Sequence, residues 1–448
     1  MPRTAFVALS ALGAMVLLAG INAHPVGRDE AVSLLLVAHP VGQIVSLLAA
    51  HEVHPAGYFL LLWAWPHANL VEARLLSWVA AVACVPVMML AAARLGLRRP
   101  WLTGLLVACS PFLAYEGTDT RMYAALALFG AAALLAVASL PERPGWGWPM
   151  GLGALLAAGM YLHYFAAFTA LGVLAVLLIR RRFALAGQSI AVAAVLFLPG
   201  LLLLVAQAGV LLRYPTETWQ ERLNAHGLNT IIGLLFGGAE YDPYGRRLAL
   251  FLFLPAAYGM IRAPRPVQVL LIFGAGLPLL LGLFTATLTA RYLAPMAPIL
   301  VLCLAVAIDS LPRLAVLPAA AAATLLSLVL VGYLDVRYDT LKPPTPELLT
   351  AARAAGAEYV VGHRHFAPQA AYYAPGGEAF AFNPPAVDHV GLWAMSPGLP
   401  YPPPPGKPVL AVDYCEGPAP IPAGYRVTRT WVNSGADFCA WLAVPPGT

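Results

Sequence analysis

The feature that most constrains this chain is the recurrence of apolar runs close to the length of a membrane crossing. Ala5–Ala23, Val71–Ala93, Phe183–Ala206, Val267–Thr287 and Leu314–Tyr333 are the clearest. A helix needs roughly 20 such residues to span hydrocarbon. The chain has 448 residues, 60% of them hydrophobic and only 10% charged, against roughly 25% charged in soluble domains. No single water-soluble core hides that much apolar surface. The expectation is an all-α polytopic membrane domain of about eleven transmembrane helices.

The charges set the expected topology. The net charge is +5, but the basic residues are not pooled in one patch, which argues against nucleic-acid binding. They lie in short loops between apolar runs. The first run follows Arg3 and reads as a span entering from the cytoplasm rather than a cleaved signal peptide, because many spans follow it. The next spans are expected at Val71–Ala93, Pro100–Tyr115, Met122–Leu140, Trp148–Leu162, Tyr164–Ile179, Phe183–Ala206, Leu248–Ile261, Val267–Thr287, Leu293–Ile308 and Leu314–Tyr333. The segments then assigned to the cytoplasm carry Arg3, Arg94, Arg98, Arg99, Arg143, Arg180, Arg181, Arg182, Arg262, Arg265 and Arg313. Their acids are Glu142 and Asp309 alone, so the positive-inside rule is satisfied. Two long segments, His24–Val71 and Gln207–Arg247, are expected outside, the first with short interfacial helices.

The tail changes composition. A Lys342-Pro343-Pro344 linker precedes an expected helix at Pro346–Ala355, a strand at Glu358–Gly362, a helix at Pro368–Tyr373, and strands at Val409–Val412, Tyr425–Val432 and Phe438–Val444. This reads as a small extracytoplasmic α/β domain, outside because the span count is odd. The expected division is a transmembrane domain over 1–334 and this domain over 335–448. Cys84, Cys109 and Cys303 fall in spans as packing residues. Cys415 and Cys439 fall in the tail, where an oxidising compartment lets them pair.

Five polar clusters lie at the outer ends of spans: Arg28-Asp29-Glu30, His51 to Pro55, Tyr115 to Tyr123, Tyr161 to Tyr164, and Thr289 to Tyr292. Any one could be an interfacial anchor; together they suggest a polar cavity opening outward. In order, these motifs resemble the GT-C class of membrane glycosyltransferases, in particular its protein-mannosyltransferase and aminoarabinose-transferase-like branch. Asp29-Glu30 matches that family's acidic pair after the first span. His54-Pro55 with Tyr58 and Phe59 matches a His-Pro-Pro-Leu-Tyr-Tyr-like stretch that here lacks the second Pro. Arg74-Leu75-Leu76-Ser77 loosely matches Arg-Leu-Pro-Ser. Asp119-Thr120-Arg121-Met122-Tyr123-Ala124 matches an acidic-x-Arg-x-Tyr-Ala loop. His163-Tyr164 and Arg291-Tyr292-Leu293 with Pro295 complete the set. The resemblance covers roughly residues 1–335.

The resemblance implies transfer of a sugar from a polyprenyl-phosphate donor to an extracytoplasmic protein, lipid or glycan acceptor, with inversion, in a plasma (inner) membrane. It points to Asp29 as the base that takes the acceptor's proton, with Glu30 and Asp119 as further catalytic acids and Glu116 beside Asp119. Arg121 and Arg291 suit the phosphate, because a guanidinium forks onto its oxygens; both also suit simple snorkelling to head groups. Arg213, Arg222, Arg246 and Arg247 are secondary candidates. His51, His54, Tyr123, His163, Tyr164 and Tyr292 are candidate substrate contacts. A divalent cation, Mg²⁺ or Mn²⁺, could bind between Asp29 and Asp119; the spacing does not demand one. Two other classes compete: a secondary transporter, disfavoured because no internal repeat is evident, and a non-catalytic envelope polymer assembly protein.

Overall fold

In hydrocarbon a backbone must satisfy its own polar groups, and the apolar runs do this as helices. The computed structural model describes residues 3–213, 222–237, 243–311, 316–334, 345–362, 366–373, 379–382, 406–415, 419–433 and 438–447. The helices are α1 (Arg3–Ala19), α2 (Arg28–Val37), α3 (Val41–His51), α4 (Gly57–Ala64), α5 (Leu70–Arg94), α6 (Pro100–Ala108), α7 (Pro111–Gly117), α8 (Tyr123–Ala138), α9 (Gly147–Leu162), α10 (Ala166–Ile179), α11 (Phe183–Arg213), α12 (Ala225–Gly237) and α13 (Pro243–Arg262). Then come α14 (Arg265–Leu271), a π-helical turn at Ile272–Gly276, α15 (Leu277–Phe284), a 3₁₀ helix at Ala290–Met296, α16 (Ala297–Asp309) and α17 (Val316–Leu334). The tail holds α18 (Thr345–Ala354), β1 (Tyr359–Gly362), α19 (Ala367–Tyr373), β2 (Ala379–Phe382), β3 (Val409–Tyr414), β4 (Arg426–Asn433) and β5 (Phe438–Val444).

Among the described residues, four helical stretches are long and apolar enough to cross a membrane: Leu70–Arg94, Phe183–Gly209, Arg265–Phe284 and Ala290–Asp309. Seven shorter apolar helices accompany them there. The chain is a mostly helical integral membrane protein with a small C-terminal sheet. It falls into two units: Met1–Asn22, His54–Ala206 and Thr218–Leu334 form the first, and Ala23–Val53, Gln207–Glu217 and Asp335–Thr448 the second.

In the first unit, α5 packs against α1, α6, α7 and α8. Trp78 of α5 donates its indole N–H to the Ala14 carbonyl of α1 at 3.2 Å. Nearly every residue from Ala290 to Ile308 is buried, which makes this stretch the centre of the unit. Two glycines let backbones meet there. A Cβ on Gly130 would lie 1.9 Å from the Pro295 carbonyl oxygen, and one on Gly259 would lie 1.8 Å from that of Cys303. So α8 rests directly on the 3₁₀ helix, and α13 on α16, as small residues permit between membrane helices. At the far end of α16, Asp309 sits 3.6 Å from Arg99 and accepts the Arg98 backbone N–H. That places on one end of the bundle two loops that the charge pattern assigns to one face.

The second unit is built on a five-stranded sheet of order β2-β1-β3-β5-β4. β1 runs parallel to β2 and β3, while β5 is antiparallel to β3 and β4. Leu348, Leu349 and Ala352 of α18 and Ala367 and Ala370 of α19 cover Val360, Leu410, Val412, Ala440 and Leu442 on one face. The Cys415–Cys439 disulfide is formed. Tyr373 of α19 accepts the Val26 N–H at 2.7 Å, and Gln207 donates to the Leu48 carbonyl at 3.1 Å.

One expectation needs correction, and two elements were not foreseen. Pro100–Tyr115 is not one continuous helix: it breaks at Cys109, and Ser110 caps a new helix whose first residue is Pro111. Proline lacks the N–H that would continue α6 and is preorganised for a first turn. The segment Gln207–Arg247, expected outside, contains α12, whose Ile231–Gly237 half is entirely buried. Strand β2 was not foreseen, because Ala379–Phe382 is a four-residue piece with no turn signals to frame it.

Candidate active site

The site is assembled from short connections rather than helix interiors. In the turn between α7 and α8, the Arg121 N–H donates to the Asp119 carbonyl at 2.8 Å. A chain of hydroxyls pins that turn: the Tyr58 and Ser77 oxygens lie 2.9 Å apart, and Ser77 donates to the Arg121 carbonyl at 3.0 Å. Thr118, Asp119, Thr120 and Arg121 are all buried. So is Arg74 of α5, which donates to the Ile21 carbonyl at 2.8 Å.

The second half comes from the 3₁₀ helix, every residue of which is buried. Arg291 Nε lies 3.5 Å from the fully buried Glu116 carboxylate, and its Nη2 donates to the Tyr115 hydroxyl at 3.1 Å. The Arg291 guanidinium carbon is 5.6 Å from the ring centre of Tyr115 and 5.8 Å from that of Tyr123. Arg121 approaches the same Tyr123 ring at 6.0 Å and Phe59 at 5.9 Å. Two buried cations therefore share one tyrosine ring. Like charges buried together are costly unless compensated. Glu116 offsets one of them, and the two tyrosine faces offset more.

The third part is the turn between α9 and α10. His163 is buried, and its ring centre lies 4.3 Å from Tyr292, 5.3 Å from His54, 5.8 Å from Phe165 and 6.3 Å from Tyr123. The Phe165 backbone N–H donates to its Nδ1 at 3.1 Å. Burial, then the neighbouring His54 and Arg121, holds the His163 pKa well below the ordinary histidine value.

Of the residues singled out in the sequence, the first unit contains His54, Glu116, Asp119, Arg121, Tyr123, His163, Arg291 and Tyr292, linked through the turns described. Tyr164 lies in the same turn as His163 and is half-buried. Asp29, Glu30 and His51 belong to the second unit. Asp29 and Glu30 lie in the first turn of α2 rather than in a loop; Asp29 sits 3.2 Å from Arg28, and the Glu30 carboxylate accepts the Gly27 N–H at 3.3 Å. His51 ends α3. The metal pair Asp29 and Asp119 is thus divided between the units, and among the described residues no three His, Cys, Asp or Glu side chains form a group that could hold a metal. Arg222 is exposed, and the side chains of Arg213, Arg246 and Arg247 lie outside the described residues. Sequence reasoning placed Arg74, Ser77 and Tyr115 in motifs without giving any of them a role, and it passed over Phe165.

A cavity of about 550 Å³ lies elsewhere in this unit, between α13, α16 and α17, and its walls are almost wholly apolar. None of the candidate residues lines it.

No protein-family model matches the chain, and no curated protein matches it by sequence. Solved structures do match. The apo crystal structure of ArnT from Cupriavidus metallidurans superimposes with a TM-score of 0.65 over 98% of this chain and 97% of that one, at 15% identity. This chain has the fold of ArnT. The ArnT structure bound to undecaprenyl phosphate matches with a TM-score of 0.62 over 98% of each chain, at 14% identity. The likeness to ArnT spans both units, the C-terminal sheet included.

Proposed function

We propose that the protein is a membrane glycosyltransferase that moves a sugar from a polyprenyl-phosphate donor to an extracytoplasmic acceptor, with inversion at the anomeric carbon. The observation that carries this reading is the pair of buried guanidiniums, Arg121 and Arg291, at 6.0 and 5.8 Å from the centre of the one Tyr123 ring. A polyprenyl-phosphate sugar leaves as a lipid phosphate, and two fixed cations stabilise both the bound donor and the charge growing on the leaving group. The ArnT fold supports the reading, and ArnT itself has been solved with undecaprenyl phosphate.

In this account Asp29 takes the proton of the acceptor hydroxyl or amine as it attacks, with Glu30 and Asp119 assisting. His51, His54, Tyr123, Tyr164 and Tyr292 contact substrate. Residues 1–334 form the catalytic domain, with about eleven spans in a plasma (inner) membrane and the N-terminus in the cytoplasm; 335–448 form the extracytoplasmic domain. Mass spectrometry of envelope glycans and lipids after deletion of the gene tests the activity. Loss of one sugar substituent, restored by the wild-type chain but not by an Arg121→Ala, Arg291→Ala chain, is expected. An unchanged envelope contradicts the reading.

A further inference from the structure

The His163 imidazole has one nitrogen committed and one open. Nδ1 accepts the Phe165 backbone N–H at 3.1 Å, so it carries no proton. A neutral ring then bears its proton on Nε2. That Nε2 is buried and has no hydrogen-bond partner among the described residues. The side chain is 4% exposed and is ringed by His54, Phe165, Tyr292 and Tyr123. Tyr123 is the ring that both Arg121 and Arg291 approach.

A buried donor without a partner costs free energy. Next to two guanidiniums, the group that would satisfy it is an anionic oxygen. Protonation of His163 would add a third positive charge and require breaking the Phe165 bond, since Nδ1 would then need an acceptor. We infer that His163 is a fixed neutral donor, its Nε2–H completing with Arg121 and Arg291 a three-point cradle for the phosphate of the lipid-linked donor. It is then neither a general base nor a metal ligand, because the nitrogen available to substrate already holds a proton. The inference deepens the proposed function and rests on it. The lowered pKa agrees with a ring that stays neutral.

The test uses the full-length protein in nanodiscs with ¹⁵N-labelled histidine, the His163 signals being assigned by their loss in His163→Gln. Expected is a neutral Nε2–H tautomer through about pH 6, below the ordinary histidine pKa of about 6.5. Adding a short-chain polyprenyl phosphate should shift the Nε2–H resonance. Inorganic phosphate is the second probe; a shift with it alone shows that the anion is read without its lipid, and the donor role stands. Affinity for the polyprenyl phosphate should fall about ten- to a hundredfold in His163→Leu and less in His163→Gln, which keeps an N–H. A proton on Nδ1, a charged ring at pH 6, or no shift with either probe while the wild type binds the lipid overturns the inference and leaves the proposed function standing. Failure of the wild type to bind polyprenyl phosphate overturns both.

Discussion

Arg291 holds its Nε 3.5 Å from the carboxylate of Glu116, and both side chains are buried. Glu116 is set by α7 and Arg291 by the 3₁₀ helix, so the pair fixes two otherwise separate connections. Removing one partner strands the other charge, at a cost of about 3–5 kcal/mol for a buried pair. Glu116→Ala and Arg291→Ala should each lower the melting temperature in detergent, and the double variant should melt higher than the sum of the two losses implies. Strict additivity would mean the two residues do not interact.

The approach of Gly130 to Pro295 sets how deeply the Arg291-Tyr292 segment lies. A methyl at Gly130 would sit 1.9 Å from the Pro295 carbonyl oxygen, so the backbone must move. Overpacking of this kind costs about 1–3 kcal/mol. Gly130→Ala should raise KM for the donor as well as lower stability. Gly151→Ala, where nothing lies within 4 Å, is the control and should do neither. Equal behaviour of the two variants would remove the positioning argument.

How much of this was legible beforehand depends on what fixes each feature. Hydrophobic runs and Arg-rich loops are local, so the helices at Val71–Ala93 and Phe183–Ala206 and the α/β tail were readable in the chain. Cys415 and Cys439 could be paired because they were the two cysteines outside the apolar runs. Arg121, Arg291, His163 and Tyr123 stood out because each interrupts or borders an apolar run. What could not be read was their convergence on one ring, since that depends on α8 resting on the 3₁₀ helix over Gly130. The break at Pro111 was visible in principle, but the apolar count of Pro100–Tyr115 outweighed it.

Acid should destabilise the protein through His163. Its native pKa is held well below the usual value, chiefly by burial, whereas in the unfolded chain it returns to about 6.5. The unfolded state therefore binds the extra proton first as pH falls. This contribution to stability is whole above about pH 6.5 and is lost progressively below it. Melting temperatures of wild type and His163→Gln at pH 7.5 and pH 5.5 check this. The wild type should lose more on acidification than the variant; equal losses would contradict it.

The tail carries a formed Cys415–Cys439 bond, and the proposed topology has it outside the cytoplasm. Alkylation of the native protein in intact cells should leave both residues unmodified until a reductant is added. A membrane-impermeant reagent should then label them from the outside. Free thiols without reductant would contradict the bond, and labelling only after lysis would reverse the topology.

Release of free lipid phosphate is the most direct test of the central claim. Purified protein would be incubated with a short-chain polyprenyl-phosphate sugar and an envelope extract as acceptor, and polyprenyl phosphate would be measured over time. Wild type should release it. Arg121→Ala and Arg291→Ala should slow release about ten- to a hundredfold, as expected for the loss of a charge-assisted contact, with the Lys variants losing less. Asp29→Asn should cost on the order of 10²–10⁴ in rate, as the loss of a general base does. No release by the wild type with any of a panel of polyprenyl-phosphate sugars, or full activity in Arg121→Ala, Arg291→Ala and Asp29→Asn alike, would contradict the account.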